Sequence, residues 1–194
     1  MPVSQFHLPV DFEALTEAGS MVGSGGMVVM DERTCMVDVA KYFLAFLQDE
    51  SCGKCVPCRL GIDRMLETVT DITEGRGLPH HLDLLERIGY TVRETSLCAL
   101  GKTAPNPVLS TLRYFRDEYQ AHISEKRCPA GVCRALIRYV IDEDKCTGCG
   151  ACLRACPHGA ITGEKKQPHV IDPELCTKCG ICRDECAFEA VTVR

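Results

Sequence analysis

The sequence predicts an α+β fold in which a small four-helix bundle is followed by a compact, internally duplicated domain. Three observations predict it: helical apolar periodicity in the middle of the chain, an ungapped repeat near its end, and 15 cysteines in 194 residues. The predicted organisation is a lead-in with a short strand at 1–35, a helical bundle at 36–125, a linker at 126–139 and the duplicated domain at 140–194.

The lead-in contains a glycine-dense segment, Gly19–Gly26. Its glycines do not fit the spacing G-x-G-x-x-G, and no strand–helix unit with a later acidic residue accompanies them. We therefore predict a turn that leads into a short strand at Met27–Met30, and no nucleotide or flavin site in this chain.

The bundle prediction depends on four sets of apolar residues at helical spacing. The fourth helix is predicted to begin with Asn106 as N-cap and Pro107 at the first helical position. His80 and His81, just before the third helix, are predicted to be exposed. The four sets are Val39, Phe43, Phe46 and Leu47; Ile62, Met65, Leu66, Val69 and Ile72; Leu82, Leu85, Ile88 and Val92; and Val108, Leu112, Phe115 and Tyr119.

The repeat aligns Val140–Thr162 with Val170–Thr192 at an offset of 30 residues, with 11 of 23 positions identical. A unit this short cannot bury a core alone. The two halves are therefore expected to pack together about a pseudo-twofold axis, with His158 and Phe188 at matching positions and Phe188 in the core.

Composition narrows the class of protein. The net charge of −5 and the lack of a basic block argue against nucleic-acid binding. The N-terminal segment has no secretory signal pattern, and no apolar run approaches the length that spans a bilayer. We therefore expect no transmembrane segment, a cytoplasmic location, and cysteine thiolates that bind metal rather than form disulfides.

Each repeat carries the spacing C-x2-C-x2-C-x3-C, in which three thiolates surround one cubic cluster and the fourth cysteine reaches the other cluster. Structural zinc sites more often use paired C-x2-C knuckles. The segment resembles the bacterial two-[4Fe–4S] ferredoxins, except that Ala187 replaces the proline found at Pro157 in the first run. The expected ligand sets are Cys146, Cys149, Cys152 with Cys186, and Cys176, Cys179, Cys182 with Cys156.

A third cysteine run lies upstream, in ESCGKCVPCR, and supplies Cys52, Cys55 and Cys58. A [4Fe–4S] cluster needs a fourth ligand, and the local sequence offers none. Spacing alone leaves four candidates for it, namely Cys35, Cys98, Cys128 and Cys133.

The segments ESCGKCVPCRLG and SLCALGKTAPNPVLSTLRYFRDEY resemble the C-terminal cluster domain of the flavoprotein subunit of complex-I-type NADH dehydrogenases. They are more similar still to the β subunit of NAD(P)-linked [FeFe]-hydrogenases, some of them electron-bifurcating, which also append a two-cluster ferredoxin domain. The resemblance implies that Cys98 is the fourth ligand and that the chain holds three [4Fe–4S] clusters.

The same resemblance implies that FMN and NAD(P) bind a preceding domain, of which residues 1–35 are the end. The chain is then an electron relay, not catalytic alone, with a flavin/NAD(P)-binding module and [2Fe–2S] and hydrogenase-type or other redox subunits as partners. The competing interpretation is an independent soluble ferredoxin-like carrier, suggested by the intact repeat.

Three cysteines remain outside the clusters: Cys35, Cys128 and Cys133. With His122 they form a set of three cysteines and one histidine, a common composition for tetrahedral zinc. Such a site would attach the lead-in and the linker to the bundle. The alternative is that the cysteines are free thiols and His122 is an ordinary core histidine.

Overall fold

The computed structural model describes residues 1–193, and it confirms the α+β class as a mixture of helices and short strands. The chain divides into two compact units, Met1–Leu136 and a second unit that begins at Ile137. None of the helices in the described range has the length and apolar character needed to cross a membrane.

The first unit is helical. Its short 3-10 and π segments are Val3–Gln5, Ala121–Glu125 and Arg134–Leu136. The α-helices are α1 Phe12–Glu17, α2 Met36–Glu50, α3 Val56–Thr73, α4 His80–Thr95, α5 Ala99–Thr103, α6 Asn106–Tyr114 and α7 Arg116–Gln120.

The lead-in differs from the prediction. It contains α1, whose N-cap Asp11 accepts a hydrogen bond from the Ala14 backbone at 2.7 Å. Met27–Met30, predicted as a strand, has no strand structure, and Val28 and Val29 are 74% and 72% exposed. A strand is stabilised by its ladder to a neighbour, and no described residue forms one with this segment.

Helices α2, α3, α4 and α6 lie where four helices were predicted, and they pack against one another. The buried face of α2 is not the predicted one: Val37, Ala40 and Leu44 are fully buried, whereas Phe46 is 53% exposed. Gly61 permits close contact between α3 and α4, because a Cβ built there would lie 2.1 Å from Val92 Cγ2.

The fourth predicted helix is interrupted. Pro105 rather than Asn106 is the N-cap, and the backbone leaves the helical region at Phe115 (φ −134°, ψ 36°) before α7 begins. The buried hydroxyls of Thr111 and Tyr119 form a 2.8 Å hydrogen bond across this break. With three further short α-helices in the described part of this unit, a simple four-helix bundle is not confirmed.

His81 was wrongly predicted to be exposed. It is buried at the start of α4, and its Nδ1 accepts a hydrogen bond from the Leu78 backbone N–H at 3.3 Å. Burial, followed by the charge of His80, lowers the pKa of His81.

The second unit has two small antiparallel ladders. Strand β1 (Tyr139–Ile141) pairs with β4 (Val191–Val193), and β2 (Ile161–Thr162) pairs with β3 (Val170–Ile171). The start of each repeat therefore pairs with the end of the other, as a pseudo-twofold arrangement requires. Helices α8 (Ala151–Ala155) and α9 (Ile181–Asp184) occupy matching places. The core consists of Ile141, Cys152, Ile161, Cys182, Ala190 and Val191.

Candidate iron–sulfur and metal sites

Two cavities of the second unit are each lined by four cysteines. The first is lined by Cys146, Cys149, Cys152 and Cys186. The second is lined by Cys176, Cys179, Cys182 and Cys156. Each cavity thus brings together three cysteines of one repeat and the fourth of the other, which are the two sets that the sequence predicts.

Glycine shapes the loop that carries each run. Gly150 (φ +74°) and Gly180 (φ +87°) are the left-handed N-caps of α8 and α9, and they lie between the second and third cysteines of their runs. A side chain disfavours this backbone conformation. The turn sends the chain around the cavity before the helix begins.

Backbone donors stand beside the fourth cysteine of each run. The Ala160 N–H donates to Cys156 Sγ at 3.3 Å, and the Ala190 N–H donates to Cys186 Sγ at 3.4 Å. Donors of this kind stabilise sulfur that carries negative charge.

Burial disfavours the thiolate form of the third cysteine of each run, whereas the N–H donors beside the fourth cysteine favour negative charge on sulfur. It raises the pKa of Cys152, and it raises the pKa of Cys182 to about 11. Because cysteine binds metal as the thiolate, a cluster bound in either cavity would displace protons from these residues.

The first unit places the upstream run at the entrance to α3. Cys55 is the N-cap of α3, Cys58 is 5% exposed, and Cys52 is exposed. Cys98 is the exposed N-cap of α5. Gly101 in α5 lies against α3, because a Cβ built on it would be 3.3 Å from Cys58 Cβ. Cys98 is therefore held on a helix that packs beside the upstream run.

Two serines lie near Cys58. Ser51 Oγ is 3.5 Å from Cys58 Sγ. Ser96 is 3% exposed, and its Oγ has no hydrogen-bond partner in residues 1–193. That oxygen would be 2.6 Å from a Cβ on Gly101, so it lies in the same contact region as Cys58. An unpaired buried hydroxyl in this contact region fits a site where the sulfur atoms of a bound cluster accept its hydrogen bond.

The remaining three cysteines meet His122 in the interior of the first unit. Their four ligand atoms lie within 4.8 Å of one another, and all four residues are buried. His122 Nε2 is 3.4 Å from Cys35 Sγ and 3.4 Å from Cys133 Sγ, and these two sulfurs are 3.7 Å apart. Tetrahedral zinc, with Zn–S near 2.3 Å and Zn–N near 2.0–2.1 Å, requires about 3.8 Å between sulfurs and about 3.6 Å between sulfur and nitrogen.

The fold orients these ligands. His122 Nδ1 is 2.7 Å from the Glu118 carbonyl oxygen, so Nδ1–H donates there and Nε2 is free to bind a metal. Cys35 is the N-cap of α2, and the Glu118 carboxylate accepts from the next backbone N–H, that of Met36, at 2.9 Å. Burial raises the pKa of Glu118.

Electrostatics within this cluster favour charge separation. Burial by itself lowers the pKa of His122. Hydrogen bonds with the sulfurs of Cys128 and Cys35 have the opposite effect and outweigh it, so the pKa is raised to about 10. Hydrogen bonds with Cys133 and Cys35 lower the pKa of Cys128. The contacts with Cys128 and Cys35 also raise the pKa of Cys133, so one thiolate is favoured in the metal-free cluster. Zinc binding would displace the remaining protons, including the one on His122 Nε2.

The comparisons with known proteins agree with this division of the chain. Residues 38–122 match the family described as the NADH-ubiquinone oxidoreductase-F iron-sulfur binding region. Residues 139–162 and 169–192 each match the 4Fe-4S binding domain. This chain carries an F-type iron–sulfur region followed by paired 4Fe-4S binding domains. The resemblance drawn from the cysteine motifs is confirmed.

Curated relatives cover more of the chain. The NADP-reducing hydrogenase subunit HndC of Solidesulfovibrio fructosivorans is 54% identical over 160 residues, which is 82% of this chain and 33% of the relative. An F-type subunit of the NADH-quinone oxidoreductase of Rhizobium meliloti is 42% identical over 129 residues, or 66% of this chain and 31% of the relative. The chain therefore spans about a third of the length of these relatives.

A solved structure is also similar. The crystal structure of NAD+-reducing [NiFe]-hydrogenase in the H₂-reduced state superimposes with a TM-score of 0.57 and 29% identity, over 63% of this chain and 20% of that chain. The likeness to a hydrogenase chain agrees with the sequence relatives.

Three further residues bear on the sites. Phe188, predicted as a core residue, is 48% exposed and lines the first cavity. Ser96 and His169 were not singled out by the sequence, and nothing in the sequence around Ser96 would have indicated its burial near Cys58. His169 had a usable signal, since it stands 30 residues after Tyr139, which lines the second cavity at the matching position of the repeat.

Proposed function

We propose that this chain is an iron–sulfur relay that carries electrons between a flavin/NAD(P)H module and a hydrogenase or ferredoxin-type partner. The observation that supports it most directly is the crossed composition of the two cysteine-lined cavities. The names of the relatives, an NADP-reducing hydrogenase component and NADH-quinone oxidoreductase components, supply the partners in this proposal.

Three [4Fe–4S] clusters would occupy the chain in this proposal. One is ligated by Cys52, Cys55, Cys58 and Cys98 in the first unit, and the other two by the cysteines that line the cavities. The clusters supply one-electron redox chemistry. Residues beside them direct N–H donors at cysteine sulfur, as Ala160 and Ala190 do.

The location proposed for the relay is the cytoplasm. The fifteen cysteines form no disulfide within residues 1–193, and cluster ligation needs reduced sulfur, a state that a reducing compartment maintains.

Anaerobic reconstitution tests the relay. The full chain should bind about twelve irons and, on titration with dithionite, show EPR signals of three reduced clusters. Protein that folds without iron after reconstitution would contradict the proposal. Co-purification with a flavin-binding subunit would distinguish a relay component from a free carrier, which should purify alone.

A structural zinc ion is the fourth proposed cofactor, held by Cys35, His122, Cys128 and Cys133. Its support is the agreement between the measured ligand separations and tetrahedral zinc geometry. A bound zinc would attach the start of α2 to the segment after α7, since Cys35 and His122 are 87 residues apart. The ion would serve structure and not redox chemistry, because zinc has a single oxidation state here.

Metal analysis separates the two kinds of site. Anaerobically purified chain should contain about one zinc, and Cys133→Ser should lose the zinc while it retains the iron. The matched control is Cys179→Ser, which should lose iron and retain zinc. Less than about half a zinc per chain in the unaltered protein would contradict the zinc site.

A further inference from the structure

His169 is a buried residue at the first cavity. It directly precedes β3, is 3% exposed, and lines the same cavity as Cys146, Cys149, Cys152 and Cys186. Its Nδ1 has no hydrogen-bond partner within residues 1–193. Buried polar nitrogen is normally paired, because an unpaired one loses its hydration without replacement.

The strand geometry makes room for the ring. In the other repeat, Tyr139 pairs with Val193, and an offset of 30 residues relates these two to His169 and Gly163. The imidazole of His169 lies directly against Gly163. A Cβ built on Gly163 would be 2.9 Å from His169 Cγ and 3.0 Å from His169 Cδ2. A larger residue at position 163 would displace the imidazole of His169. The repeat that carries the histidine therefore has glycine at this position, where the other repeat has Val193.

The two cavities are therefore alike in cysteines and unlike in polar neighbours. The second cavity has Tyr139 at the matching position, together with His158, which is exposed and can bond to water. In the first cavity His169 is sealed from solvent. Its Nδ1 has no partner among residues 1–193, and the other lining residues of this cavity are cysteines, apolar residues, glycine and one threonine.

We propose that His169, through Nδ1–H, donates a hydrogen bond to a sulfur of the cluster bound in the first cavity and so raises its reduction potential. This inference rests on the proposed function, since it requires a cluster there. One-electron reduction adds a negative charge to the cluster and its sulfurs. An N–H donor stabilises that charge, so the hydrogen bond stabilises the reduced cluster more than the oxidised cluster. His169 is thus a positioning and tuning residue that makes the two ferredoxin-like clusters unequal.

Potentiometric EPR on the reconstituted full chain tests this inference. His169→Phe keeps a ring but removes the donor, and it should shift the one-electron equilibrium of one cluster about tenfold toward the oxidised form, which is about 59 mV. His169→Asn keeps an N–H near the position of Nδ1. The reduction potential of this cluster should therefore stay close to its value in the unaltered chain. The matched control His158→Phe should leave this cluster unchanged. Three clusters with unaltered potentials in His169→Phe would overturn the inference.

A second measurement rests on the unaltered chain and does not depend on how well the His169 variants fold. Protein labelled with ¹⁵N-histidine should show, by pulsed EPR, a histidine nitrogen coupled to a reduced cluster, both in the unaltered chain and in His158→Phe. Absence of this coupling from a fully loaded chain overturns the role of His169 and leaves the relay intact. Failure to bind about twelve irons would instead overturn the relay.

Discussion

Crossed ligation in the second unit can be tested by pairing cysteine substitutions. Cys186→Ala removes the one residue of the second run that lines the first cavity. A second substitution is then placed either in the same cavity, as Cys149→Ala, or in the other cavity, as Cys179→Ala. Both double variants lack two cysteines, so each is a control for the other.

The cavity lining sets the expected iron content. The unaltered chain should hold about twelve irons, and Cys186→Ala should leave about eight. Adding Cys149→Ala should leave the content at about eight, because both residues belong to one cavity. Adding Cys179→Ala should lower it to about four, because a second cavity is then incomplete.

Iron analysis after anaerobic reconstitution, with zinc measured in parallel, is the assay. A cavity that keeps a three-iron cluster would lower the count by less, but the order of the two double variants would be unchanged. The reasoning is refuted if the pair Cys186 and Cys149 falls to about four irons while the pair Cys186 and Cys179 stays near eight. That result would assign Cys186 to its own run.

Three further outcomes are expected. With free zinc at about 1,000 times its dissociation constant, the bound ion should add about 4 kcal/mol to the free energy of unfolding, and a chelator should remove this contribution. Urea unfolding measures the loss, and Cys133→Ser should abolish the chelator's effect. Ser96→Ala should lower the potential of the first-unit cluster by about 59 mV, a tenfold change, in an EPR titration, because it removes a buried donor; exposed Ser124→Ala should not. Gly148→Ala should destabilise more than Gly159→Ala by about 1–3 kcal/mol in thermal unfolding, because both have positive φ but only Gly148 faces backbone, 2.3 Å from Gln167 N.

The cysteine sites could be proposed from the sequence because their chemistry imposes a spacing on the chain. Runs of three cysteines at x2 intervals follow the shape of a cubic cluster, and a repeat without gaps requires equivalent halves. The set of Cys35, His122, Cys128 and Cys133 could be named from composition, since those cysteines were left over. Their common position in space could not, because 98 residues separate Cys35 from Cys133.

The errors in fold arose where packing overrode local pattern. Phe43 and Phe46 follow helical spacing, yet the helix turns Leu44 inward and leaves Phe46 half exposed. His81 is polar, yet it is buried because the Leu78 backbone N–H supplies it with a hydrogen bond. Met27–Met30 has strand composition, yet it forms no ladder with any residue of the described chain.

The sequence by itself determined the kind of chemistry, because the identity and spacing of thiolates select iron–sulfur clusters over disulfides and point to the F-type region. Only the tertiary structure decided the surroundings of those thiolates. It placed Ser96 near Cys58, brought four side chains that could hold a metal within 4.8 Å of one another, and buried His169 at one cavity of two. The reason is that such contacts depend on burial and on the approach of separate elements, which a local pattern of residues does not encode.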